Sequence, residues 1–137
     1  MRSSDRGADA NFRRLTDLRN GLLQLHKTLM ESERSIYERD IERVTSSNHM
    51  LSLLLHDPWF AWLRELSELV VVIDETLDAR DPATDDDAAR LIDLSRRLLL
   101  PEETGTGFAK GYFEALQRDP DVVLAHAQMM KIFVALG

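Results

Sequence analysis

Between residues 12 and 44 the chain places Phe12, Leu15, Leu18, Leu22, Leu25, Leu29, Ile36 and Val44, at first in steps of three and four. That spacing draws one apolar stripe along a helix, and the stripe has to be covered by something. Leu23, Met30, Tyr37 and Ile41 widen it. Arg13, Asp17, Lys27, Glu31, Arg34 and Glu42 fall on the other side. The pattern predicts a helix over residues 10–44, about 50 Å long at about 1.5 Å per residue. Residues 31–43 are very polar, so this part is expected to protrude or to meet another chain. Residues 1–10 are rich in Ser, Asp, Arg and Gly and read as a disordered polar tail. Residues 11–137 read as one helical-bundle domain.

The same reasoning carries through the rest of the chain. Thr45, Ser46, Ser47 and Asn48 make a break, because their side chains compete for backbone hydrogen bonds. A short helix over residues 49–56 follows. Asp57-Pro58 is a helix start: the carboxylate caps, and Pro suits a first position whose N–H has no partner anyway. The predicted helix runs over residues 58–79, with Phe60, Leu63, Leu66, Val70, Ile73 and Leu77 on its inner side. Residues 70–73 are β-branched, but the helical spacing around them outweighs that local preference. Thr84 or Asp85 caps the next helix, whose acidic first turn opposes the positive end of its dipole. Pro101 is compatible with its stop. Two further helices are predicted over residues 108–118 and 120–136, the second behind another Asp-Pro start. An antiparallel up-and-down bundle of about four main helices, with short connecting helices, covers every stripe.

Composition removes several functions. Cysteine is absent, so thiolate catalysis, disulfides and cysteine-ligated metals are excluded. The net charge of −7 opposes binding to a phosphate backbone, and Arg13, Arg14 and Arg19 are a small cluster closely followed by acids. The first residues lack the apolar stretch of a signal peptide, and the longest apolar runs fall far short of the ~20 residues that cross a bilayer. A cytoplasmic location, no membrane and no nucleic-acid partner are the expectations.

Catalytic and metal patterns are equally sparse. Ferritin-like sites use Glu-x-x-His, but the residues three before His26, His49, His56 and His126 are Leu23, Ser46, Leu53 and Val123. No His pair has the spacing of a helical zinc site. A metal site would have to assemble from His26, Glu33 and His126 on different helices, against the plainer reading of partly exposed histidines. Ser52, Ser67 and Ser95 lie inside helical patterns, without the strand-turn-helix elbow of a nucleophile. Gly105-Thr106-Gly107 lacks the Lys-Ser/Thr of a phosphate loop and reads as a linker. No catalytic residue and no cofactor is assigned.

The most unusual segment is His56-Asp57-Pro58-Trp59-Phe60-Ala61-Trp62. It holds both tryptophans, three residues apart and hence near one face. Indoles are enriched at binding hot spots and can carry one polar contact. His56, Trp59, Trp62 and Arg64, with Tyr37 and Arg34 from the long helix, are therefore the candidate ligand or partner residues. The competing reading is that the rings plug the end of the bundle.

Residues 53–63 (Leu-Leu-Leu-His-Asp-Pro-Trp-Phe-Ala-Trp-Leu), with Ser67-Glu68-Leu69, Leu25-His26-Lys27 and residues 117–121 (Gln-Arg-Asp-Pro-Asp), resemble a small bacterial family of helical proteins to which no function is assigned. The resemblance implies a helical bundle and a bacterial source, and no functional residue. Three functions stay open. The first is a non-enzymatic bundle that binds another protein or itself, a homodimer included, as the apolar end Ile132-Phe133-Val134-Ala135-Leu136 suggests. The second is a small-molecule-binding bundle with a pocket near residues 56–62. The third is a metal-dependent enzyme using scattered His and Glu.

Overall fold

The computed structural model describes residues 3–137, and it is all-α, with six α-helices and no strand among the described residues. They are α1 (Ser3–Asp40), α2 (Ser47–His56), α3 (Arg64–Asp78), α4 (Asp85–Leu98), α5 (Gly107–Arg118) and α6 (Pro120–Leu136), and a 3-10 turn (Pro58–Leu63) sits between α2 and α3.

Helix α1 is the axis of the molecule. Leu15, Leu18, Leu22, Leu25 and Leu29 are all buried, as their spacing requires. Pairs of side chains fix the direction of its neighbours. Arg19 pairs with Asp74, and His26 meets Ser67, so α3 runs antiparallel to α1. Asn11 donates to the Ala83 carbonyl at 3.2 Å and to Asp85 Oδ1 at 2.8 Å, which sets the start of α4 beside the start of α1. Arg14 donates to the Leu136 carbonyl at 3.3 Å and Arg118 pairs with Glu33, so α6 descends antiparallel to α1. Gly21 allows α6 to come close: a Cβ there would lie 2.7 Å from Ile132 Cδ1.

Three boundaries differ by more than two residues from the sequence reading. The segment expected as a tail over residues 1–10 is helical from Ser3, while Met1 and Arg2 lie outside the described residues. Once the turn around Asn11 is anchored, each further helical residue toward the N-terminus adds one hydrogen bond, and Ala8, Asp9 and Phe12 border the connection from α3 to α4. At its other end α1 stops at Asp40 and not near Val44. The Val44 N–H there is taken by Glu38 Oε2 at 2.9 Å. Residues 31–40 do not protrude: Ser32, Glu33 and Tyr37 are buried, Glu33 against α5 and Tyr37 against the 3-10 turn.

The third difference is the 3-10 turn itself, expected as the first turns of an α-helix. Asp57 accepts from the Trp59 N–H at 2.8 Å, and its carbonyl accepts from the Phe60 N–H at 3.2 Å, which closes the tighter winding. With three residues per turn, positions three apart eclipse each other. Phe60 and Leu63 therefore both point into the core, and Trp59 and Trp62 share a different side. The starts of α4 and α6 behave as expected. Thr84 and Asp87 form a reciprocal capping box at α4, with both bonds at 3.0 Å. These bonds, the Thr84 backbone N–H first, hold the Asp87 carboxyl below its usual range. Asp119 accepts from the Asp121 N–H at 2.9 Å at the start of α6.

Candidate functional site

The far end of α1, the 3-10 turn and α5 enclose an open groove of about 680 Å³. Its aromatic walls are Trp59 and Trp62, both half-buried. Trp62 lies against Gly111, where a Cβ would come within 2.4 Å of the indole. No other residue fits there without moving the ring, so Gly111 is the reason α5 can approach. Trp62 then packs on Phe108 with ring centroids 5.4 Å apart, and Phe108 stacks on Tyr112 at 5.2 Å. Behind Trp59, the buried Tyr37 ring stands edge-on at 5.8 Å and its hydroxyl donates to Glu42 at 3.1 Å.

Most of the charges in the groove are held by the protein. Glu33 is buried and pairs with Arg118 across 85 positions of sequence. Glu65 accepts from the Phe108 N–H at 3.2 Å and lies 2.8 Å from the place a Cβ on Gly107 would take. Gly107 has φ +58°, so a side chain there would be strained as well as crowded. Lys110 and Glu114 line the groove with no side-chain ion pair among the described residues. The Trp59 indole N–H is buried without an acceptor.

The six candidate residues thus part company. Trp59 and Trp62 wall the groove, and Tyr37 supports Trp59 from beneath. His56 is exposed at the end of α2 and does not line it. Arg64 turns back to donate to the Leu54 and Leu55 carbonyls, at 3.4 and 2.9 Å, and so closes the C-terminal turn of α2. Arg34 pairs with Glu38 one turn along α1. Sequence proximity to the tryptophans was misleading for His56 and Arg64, because side chains of a tight turn fan out in different directions. Glu33, Gly111 and Arg118 were missed as groove residues. Only Gly111 carried a local signal, as a glycine inside an otherwise good helix.

The conjectured metal trio is not brought together. His26 Nε2 lies 2.7 Å from Ser67 Oγ, Glu33 holds Arg118, and His126 Nδ1 lies 2.6 Å from the Tyr112 hydroxyl. No three His, Asp or Glu side chains converge on a metal-sized space among the described residues. The His26–Ser67 pair does not make a nucleophile either. Ser67 donates to the Leu63 carbonyl at 3.3 Å, which leaves its oxygen to accept from His26. Both residues sit inside helices, whose N–H groups are already engaged and form no oxyanion hole. Burial lowers the pKa of His26 and so favours the neutral ring.

No described helix is long and apolar enough to cross a membrane. No family model, curated protein or solved structure matches this chain.

Proposed function

We propose that the chain is a non-enzymatic interaction module whose groove between the 3-10 turn and α5 takes an extended segment of a partner protein. The observation that carries this reading is the pair of half-buried indoles, held side by side over Gly111 in an open trough. Small-molecule sites bury most of their ligand's surface; an open trough suits a chain that runs through it. Trp is among the residues that dominate binding energy at protein interfaces. The groove charges engaged within the protein position walls and leave Lys110 and Glu114 to meet a polar rim. The buried indole N–H of Trp59 adds a donor that a main-chain carbonyl would satisfy after a small side-chain shift.

The test is site-specific photo-crosslinking in the cells the protein comes from. A photoreactive residue at Lys110 should give a discrete heavier adduct, and the same residue at Asp86, at the start of α4 and the other end of the bundle, should give none. The Lys110 adduct should fade when Trp62 is replaced by Ala in a variant shown to be folded by circular dichroism. No adduct from Lys110, or an adduct indifferent to Trp62, would contradict the reading.

A further inference from the structure

A second concavity, of about 430 Å³, lies between the end of α4 and the outer side of α6. Leu99, Leu100, Pro101, Met130, Phe133 and Val134 give it an apolar lining. Two of these are left in water, Leu100 at 59% exposure and Val134 at 82%. Its polar features are two nitrogen-bearing side chains, Arg96 and His126, and no carboxylate borders it.

The state of both side chains follows from their partners. On α4, Arg90 pairs with Asp87 and Arg97 with Asp93, but Arg96 has no carboxylate partner among the described residues. It lies over the Phe133 ring, 5.4 Å from the centroid, and donates one N–H to the Phe133 carbonyl at 2.9 Å. A guanidinium has five N–H groups, so donors remain. Tyr112 is fully buried, and its hydroxyl meets one hydrogen-bond partner, His126 Nδ1. A buried phenol that only accepted would leave its own O–H unpaired, so Tyr112 donates to Nδ1. Burial raises the Tyr112 pKa and lowers that of His126, which favours the neutral form of each. The neutral imidazole then carries its proton on Nε2, a second donor at the cleft.

We infer that this cleft binds a small amphipathic carboxylate, a straight aliphatic chain along Leu99, Leu100, Met130 and Val134 with its anionic head at Arg96 and His126. The charge complementarity argues for this occupant over a second copy of the chain. A chain with net charge −7 approaches another copy of itself against repulsion, whereas a lone carboxylate finds an uncompensated cation in an apolar setting. The inference does not depend on the groove at the 3-10 turn.

Titrations of the full chain with octanoate, decanoate and octan-1-ol, followed by nitrogen-15 NMR below micellar concentrations, test it. Saturable shifts should be confined to the end of α4 and to α6, and affinity should rise by up to about fourfold for each added methylene. Octanoate should bind more tightly than octanol. Arg96→Met should weaken decanoate at least about tenfold and leave octanol unchanged. Val134→Asp, at a position exposed enough to keep the fold, should weaken decanoate more than octanol and serves if Arg96→Met does not fold. Unsaturable or scattered shifts, equal binding of acid and alcohol, or wild-type decanoate affinity in Arg96→Met would overturn the inference. So would shifts of these residues with protein concentration alone and none with decanoate, since a second copy would then be the occupant.

Discussion

The two halves of α1 are built on different plans. From Leu15 to Leu29 the buried positions are all leucine, and they are covered by α3, α4 and α6. From Glu31 to Asp40 the buried positions are Ser32, Glu33 and Tyr37, and a 3-10 turn covers Tyr37 while a short helix covers Glu33. The first half derives its stability from apolar area removed from water, a term that is large and undirected. The second half is held by specific pairs: Glu33 with Arg118, Tyr37 with Trp59 and Glu42, Trp62 with Gly111. The first half holds the bundle together, and the second positions the two indoles.

Truncating the apolar seam should have the largest effect. Leu22→Ala removes a fully buried side chain and should cost about 2–5 kcal/mol in chemical denaturation. Ile36→Ala, at a half-buried position facing the groove, should cost well under half of that. Equal losses would erase the distinction between the halves. Gly111→Ala comes next. The added methyl would meet the Trp62 ring, so a loss of about 1–3 kcal/mol is expected, with a changed tryptophan emission as the indole is displaced. Gly21→Ala should cost less, because the side-chain ends of Ile132 and Met129 that it would meet can turn away. The cap at the start of α4 sharpens the comparison further. Thr84→Ala should cost about 1 kcal/mol and leave the tryptophan emission unchanged.

The smallest effect is that of pH. Burial lowers the His26 and His126 pKa values in the folded state, so the unfolded chain binds more protons in that window. Their contribution to stability is complete above the unfolded value near 6.5 and is lost as pH falls from there through the lowered folded values. The melting temperature should therefore drop between pH 7.5 and 5, and His26→Asn should reduce the size of that drop. A melting temperature that rose over the same interval would contradict the assignment of neutral, partly buried rings.

Legibility from sequence follows the same divide. The leucine seam, the Asp57-Pro58 and Asp119-Pro120 starts and the Thr84 cap were readable because each is local: the residues that make the signal are the residues that make the structure. The all-α class came from them. The 3-10 turn was not readable, since periods of 3.0 and 3.6 cannot be told apart over six residues. The groove was half-readable. Trp59 and Trp62 announced themselves by type and spacing, but Glu33 and Arg118 are 85 positions apart and meet only once α1, α5 and the turn have packed. The pairs His26–Ser67 and Tyr112–His126 were hidden for the same reason. Arg64 was misplaced because its sequence neighbours are aromatic, whereas its hydrogen-bond partners are backbone carbonyls at the end of α2. The polar start of α1 was read as a tail because composition does not register an anchor such as Asn11.

Native-state amide hydrogen exchange along α1 compares the halves directly. Amides of residues 18–29 should exchange only through global unfolding, with a denaturant dependence equal to that of the whole chain. Amides of residues 35–40 should exchange through a smaller opening, with weak denaturant dependence, as the 3-10 turn and α5 lift from their pairs. A single exchange free energy shared by both segments, moving together with denaturant, would show that the helix is one cooperative unit and that its far half is not built on a separate plan.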